Sequence, residues 1–260
     1  VLVEPERTAY DLRFRLLGFP IRIHPLFWLG AALLGAFTLN MGFQYLLIWM
    51  AVVLVSLLVH ELGHAVMFRW FGTDAAIVLY VFGGLAIPNA FVAGRWRRIL
   101  ISLAGPAAGF LLCAGVYVSN RAFHWASNPE GFLTAGREVG FFYLALLWVN
   151  LYWGILNLLP VFPLDGGQVS RELCGLVWGP RGTRIALQIS LAVAVALVAY
   201  SLLCVLTADG PALAFLPGWL PRGTIFTAVL FGLLAYTSYQ LLQQLRWTDS
   251  YWDDRVPWER

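Results

Sequence analysis

The sequence predicts an all-α membrane protein, with six transmembrane helices and a short re-entrant β-hairpin between the second and the third. Three observations predict it. The chain has 260 residues, 60% of them hydrophobic and only 12% charged, with a mean hydropathy of +0.74; soluble domains carry about 25% charged residues. Six apolar stretches reach or approach the roughly 18 residues that mark a membrane helix. All 17 basic residues are arginines, and they divide unevenly between the loops. The same composition excludes a disordered chain, a collagen and a coiled coil. A net charge of +3, scattered along the chain, excludes a nucleic-acid surface. Cys113, Cys174 and Cys204 are odd in number and far apart, so they offer neither a disulfide framework nor a cysteine zinc site.

The first 20 residues hold Glu4, Glu6, Arg7, Asp11, Arg13 and Arg15. This is a polar head, unlike a secretory signal, and the chain is expected to enter the bilayer with its first helix. The expected spans cover about 25–40, which is marginal in length, then about 42–71, 99–119, 139–159, 185–206 and 224–245. Between the second and third, Ala75–Phe82 and Leu85–Phe91 are short, partly β-branched runs around Gly83-Gly84. They read as a hairpin with a Gly-Gly turn, dipping in from the cytoplasmic side. Such backbone is tolerated at membrane depth only when covered by protein or lining a wet cavity. An ordinary apolar loop is the alternative. A small helix over about 168–178 is expected at the cytoplasmic surface. Neither an internal repeat nor an appended soluble module is visible. The expectation is a single integral membrane domain over 1–260, with a three-helix core at about 43–180 and flanking spans at about 25–40, 185–206 and 224–245.

Orientation follows from the arginines. With both termini in the cytoplasm, 14 of the 17 lie inside, and only Arg121, Arg137 and Arg222 lie outside. Trp247, Trp252 and Trp258 suit an interfacial anchor.

Ionisable groups inside a bilayer are costly and mark function by default. Few stand in these spans. Glu138 begins a helix, where the macrodipole favours an acid. His24 and His124 flank spans and read as interfacial. His60-Glu61-Leu62-Gly63-His64, in the second span, has the pattern H-E-x-x-H. Residues four apart share a helix face, so both imidazoles reach one Zn2+, with Glu61 beside them to handle a metal-bound water. A His-Glu pair buried without a metal would carry its desolvation cost uncompensated. Seventeen steps from Phe43 to His60 are about 26 Å, which places the pair towards the cytoplasmic side.

A catalytic zinc takes three protein ligands and an open position. Asp165 supplies the third. In Asn157-Leu-Leu-Pro160-Val-Phe-Pro163-Leu-Asp165-Gly166-Gly167 the two prolines end the helix, so Asp165 stands on bent backbone. Its alternative role is a cap for the next helix. Asn157 is placed either to donate to a developing oxyanion or to bond another helix; Asn150 lies on the same face. Ser102-Leu-Ala-Gly105-Pro106-Ala-Ala-Gly109 is a small-residue run that reads as close helix packing.

These motifs, with Phe82-Gly83-Gly84-Leu85-Ala86 and Ala104-Gly105-Pro106 between them, resemble the site-2 protease family of intramembrane zinc metalloproteases. The likeness covers about Leu54 to Arg171, and the leading Pro20-Ile-Arg-Ile-His24 resembles compact members. It implies His60, His64 and Asp165 as ligands of one Zn2+ per chain, Glu61 as the catalytic residue and Asn157 as a support near the scissile peptide. It implies cleavage within or near a transmembrane helix of a membrane-anchored substrate, after an upstream protease has trimmed it. The absence of lysine points to a GC-rich genome, so a bacterial inner membrane is the expected location. The family's PDZ and CBS modules find no room in this chain. Three other readings remain: an inactive, zinc-holding binding or chaperone homologue; a metal transporter, which would need several polar clusters along a path; and a class with a glutamate as third ligand, for which Glu172 is the candidate.

Overall fold

The computed structural model describes residues 5–81, 83–123, 136–207 and 223–253. His124, Arg222 and Trp258 lie outside them. The chain divides into two compact units, Leu2–Leu158 and Leu159–Arg260.

The first unit opens with β1 (Leu12–Leu16) and β2 (Phe19–Ile23), antiparallel, with Leu16 opposite Phe19. Leu17 (φ 52°) and Gly18 (φ 84°) make the turn; positive φ at both central residues is what a twisted two-residue hairpin requires. Apolar residues alternate with arginines along β1, and in β2 Phe19, Ile21 and Ile23 are buried. β3 (Ala75–Tyr80) pairs parallel with β2, Ile21 opposite Ile77, and β4 (Gly83–Pro88) pairs antiparallel with β3. The result is one four-stranded sheet in the order β1-β2-β3-β4.

Helix α1 (Pro25–Leu34) starts on a cap, His24 Nδ1 accepting from Leu26 N at 3.2 Å, so His24 has a defined structural role. It stops after 10 residues at Gly35, and a 3-10 turn comes next over Ala36–Asn40. Gly35 also lets the Trp49 ring approach, for the ring crosses where a Cβ at Gly35 would stand. Helix α2 (Phe43–Trp70) has 28 residues, about 42 Å at 1.5 Å each. With α3 (Arg95–Phe123) and α4 (Gly136–Asn157) it completes the unit. α2 and α3 approach until a Cβ on Gly63 would strike the Ala104 carbonyl, the small-residue contact that membrane helices use in place of hydrophobic burial. Asn150 Nδ2 donates to Ser56 Oγ (2.9 Å) and Leu146 O (2.8 Å), tying α4 to α2.

The second unit holds α5 (Asp165–Trp178), a 3-10 turn (Gly179–Arg181), α6 (Gly182–Leu206) and α7 (Ile225–Asp253). Two hydroxyl pairs tie α6 to α7: Ser190 with Ser238 (2.8 Å) and Thr227 with Ser201 (3.0 Å).

The expected fold class needs correction. Among the described residues, five helical stretches are long and apolar enough to cross a membrane, not six: Phe43–Trp70, Arg95–Ala122, Arg137–Asn157, the continuous Asp165–Leu206 and Ile225–Leu245. The stretch at 25–40 fails because Gly35 ends its helix. The hairpin expected to stand alone is half of a larger sheet, whose other half is an N-terminal β-hairpin from the region expected to be a polar head. Gly83 and Gly84 are also not the turn; both lie inside β4.

The candidate metal centre

In the first unit, one turn of α2 presents His60 and His64 side by side, both buried, their Nε2 atoms 3.2 Å apart. The His64 Nδ1 lies 2.7 Å from the Ile101 carbonyl on α3. A carbonyl only accepts, so Nδ1 carries the proton and Nε2 presents its lone pair, the arrangement of a metal-bound imidazole. Two nitrogens bound tetrahedrally at 2.0–2.1 Å stand about 3.3 Å apart, close to the observed separation. Space in front of the pair comes from Gly105: a Cβ there would collide with His64 Nε2 and lie 2.8 Å from His60 Nε2. Tautomer, spacing and cradle therefore all fit a zinc ion.

Glu61 is buried beside the pair. The β4 backbone presses on it so closely that a Cβ on Gly84 would collide with its carboxyl group. Burial pushes the Tyr80 hydroxyl up to about 12, and the charge of Glu61 adds to the shift. Tyr80, Gly84, Gly105 and the Ile101 carbonyl are missed by sequence reasoning. Only the glycines leave a signal there, and in sequence it reads as a turn and as packing.

Asn157 is buried at the end of α4, where its Nδ2 donates to Trp153 O at 3.0 Å. Asn150 is consumed by its tie to Ser56. In the second unit, Asp165 is the first residue of α5 and is half-buried. Leu164 holds the capping position and makes no side-chain cap bond, and Asp165 stands in the first turn of α5. Glu172 is buried and pairs with Arg171 at 3.3 Å. As chemistry, His60, His64 and Asp165 are a donor set consistent with zinc, two imidazoles and a carboxylate.

Residues 125–200 match the peptidase family M50. The chain is 27% identical over 197 residues to a zinc metalloprotease of Methanocaldococcus jannaschii, covering 75% of this chain and 55% of that one. It is 27% identical over 264 residues to Rip3 of Mycobacterium tuberculosis, covering 91% of this chain and 62% of that one. It therefore spans less than two thirds of the length of these curated relatives. Among solved structures, the site-2 protease from Methanocaldococcus jannaschii superposes with a TM-score of 0.57 at 24% identity, covering 90% of this chain and 95% of the other, a likeness of fold. By its helices it is a multi-pass integral membrane protein; over residues 125–200 it is similar to peptidase family M50, and along most of its length it shares its fold with a site-2 protease.

Proposed function

We propose that this protein is an intramembrane zinc metalloprotease that hydrolyses a peptide bond within or near a transmembrane helix of a membrane-anchored substrate. The observation that carries the reading is the His60–His64 pair, turned Nε2 to Nε2 over the Gly105 cradle with buried Glu61 one residue away. In this reading Asp165 joins the pair as the third ligand of one zinc ion per chain. Bound zinc supplies Lewis acidity, which acidifies water and polarises a carbonyl. Glu61 takes the proton of the attacking water on its carboxylate and returns it to the leaving amine. Asn157 spends one N–H on Trp153 O and keeps a second to donate to the developing oxyanion.

A helical peptide hides its own carbonyls, so the substrate must unwind before it is cut. β4 is an edge strand and runs directly against Glu61. It suits an extended substrate segment added as a further strand. The arginine distribution supports both termini in the cytoplasm, with the centre towards that side. A bacterial inner membrane is the simplest location, and a protease that trims the substrate first is the expected upstream partner.

The test compares wild type with Glu61→Gln in detergent, reading zinc content and cleavage of a tagged transmembrane substrate. The expected result is about one zinc in each and cleavage by wild type alone, with the variant down at least 100-fold. Zinc in both and cleavage by neither favours the binding-only alternative. A wild type that holds no zinc overturns the assignment.

A further inference from the structure

The stretch between Asn157 and Asp165 has no long regular element of its own, and its bearing on the metal centre rests on reading Asp165 as a zinc ligand. A short irregular segment fixes the residue at its end only if its own backbone is fixed. Here that happens at one peptide. Val161 is fully buried, and the Phe162 N–H donates to Ser190 Oγ on α6 at 2.7 Å. Ser190 Oγ in turn lies 2.8 Å from Ser238 Oγ on α7. Ser190 is 1% exposed and Ser238 0%. On the other side of the same peptide rests the first turn of α5: a Cβ on Gly167 would come within 2.6 Å of Val161 C, Val161 O and Phe162 N. Loop, α5, α6 and α7 therefore meet at the Val161–Phe162 peptide, two residues before the turn that carries Asp165.

The second hydroxyl tie between α6 and α7, Thr227 with Ser201, shows that these helices are already joined without the loop. What distinguishes Ser190 is its second partner, a loop N–H, held by a hydroxyl on a residue that is itself buried.

We propose that Ser190 and Ser238 are positioning residues for the metal centre: through the Phe162 N–H they hold the Asp165 turn in the place where its carboxylate binds zinc. Removing the Ser190 hydroxyl leaves that N–H without its acceptor and frees the turn. Removing the Ser238 hydroxyl leaves the acceptor present but unanchored. Groups bonded directly to a ligand change metal affinity by about 10- to 100-fold; these serines act one step further back, so the lower end of that range is expected.

The experiment uses the full chain in detergent and two readouts. The first is hydrogen exchange of the metal-free protein over 159–167, which does not depend on zinc. The second is the zinc dissociation constant by competition with a chelator. Ser190→Ala is expected to speed exchange at Phe162 at least tenfold, to leave the amides of α6 and α7 as protected as in wild type, and to weaken zinc binding about tenfold. Ser190→Thr keeps the hydroxyl and is expected to restore both. Ser238→Ala, expected to weaken zinc binding about threefold, carries the test should Ser190→Ala not fold. Unchanged Phe162 exchange, or zinc affinity within twofold of wild type in a folded variant, overturns the proposal. Should Asp165→Ala bind zinc as tightly as wild type, the ligand reading itself falls, and the exchange result shows independently whether the serines hold the loop.

Discussion

A histidine four residues from another on a helix binds metal only if its lone pair faces the right way, and at His64 the Ile101 carbonyl decides this. The neighbouring residue that makes room is Gly105, on the same helix as Ile101. This gives a prediction in which helix propensity and function oppose each other. Alanine favours a helix over glycine by about 1 kcal/mol. Gly105→Ala should therefore preserve or raise helicity by circular dichroism. Its methyl group would nevertheless occupy the space in front of both Nε2 atoms. Zinc content of the purified variant is expected to fall at least tenfold, and cleavage with it. Gly105→Ala protein with a full complement of zinc would show that the cradle is packing alone.

At the scale of elements, β1 and β2 are held to the residues before them by Asp11. The Thr8 hydroxyl and N–H donate to its carboxylate at 2.7 and 3.1 Å, and Arg22 and Arg13 each approach at 3.3 Å. The Thr8 hydroxyl is the largest cause that keeps this carboxyl well below the usual range; burial opposes it, and the Thr8 N–H, Arg22 and Arg13 add to it. Because the folded value is depressed, the unfolded chain binds more protons over the interval between the two values. The stabilisation is complete above about pH 4 and is lost as the pH falls below it. Wild type should melt at a higher temperature than Asp11→Asn at pH 7, and the gap should narrow steadily as the pH falls below about 4. A gap as wide at pH 3 as at pH 7 would show that the carboxylate's charge is not what matters. This hairpin also marks where the sequence is hardest to read. Leu12-Arg-Phe-Arg-Leu16 has the alternation of a strand, and Leu17-Gly18 is its turn, but the surrounding charges give the region the look of a polar head. The Gly83-Gly84 pair is legible as strand-associated and illegible in role. A glycine that makes a turn and one that lets Glu61 approach look alike until the partner is known. The H-E-x-x-H pattern needs no such partner, because its chemistry is written in the helical period.

For the whole molecule, the surface states its environment: Leu111 is 74% exposed, Leu144 63% and Leu206 82%, apolar exposure on a scale that water does not tolerate and lipid does. The number of crossings is less legible than their existence. Hydropathy counts apolar residues but does not see that α1 ends at Gly35 and continues only as a 3-10 turn. The chain from β2 through α1 and the 3-10 turn thus runs from the Arg69 end of α2 to its Phe43 end without one long helix: Leu17 O accepts from Arg69 Nη1 at 2.9 Å at one end, and Gly35 meets Trp49 towards the other. This path makes the orientation testable with two sites on opposite ends of α2. In a background with Cys113, Cys174 and Cys204 replaced by alanine, Met41→Cys and Trp70→Cys both place a thiol on an exposed position, at 53% and 82%. A membrane-impermeant maleimide is expected to label Met41→Cys in intact cells and Trp70→Cys only after the membrane is opened. Reversed labelling would turn the protein over and put the His60–Glu61–His64 turn towards the outside. Labelling of both in intact cells would mean that α2 does not cross, and a protease that works inside the membrane would lose the helix its centre is built on.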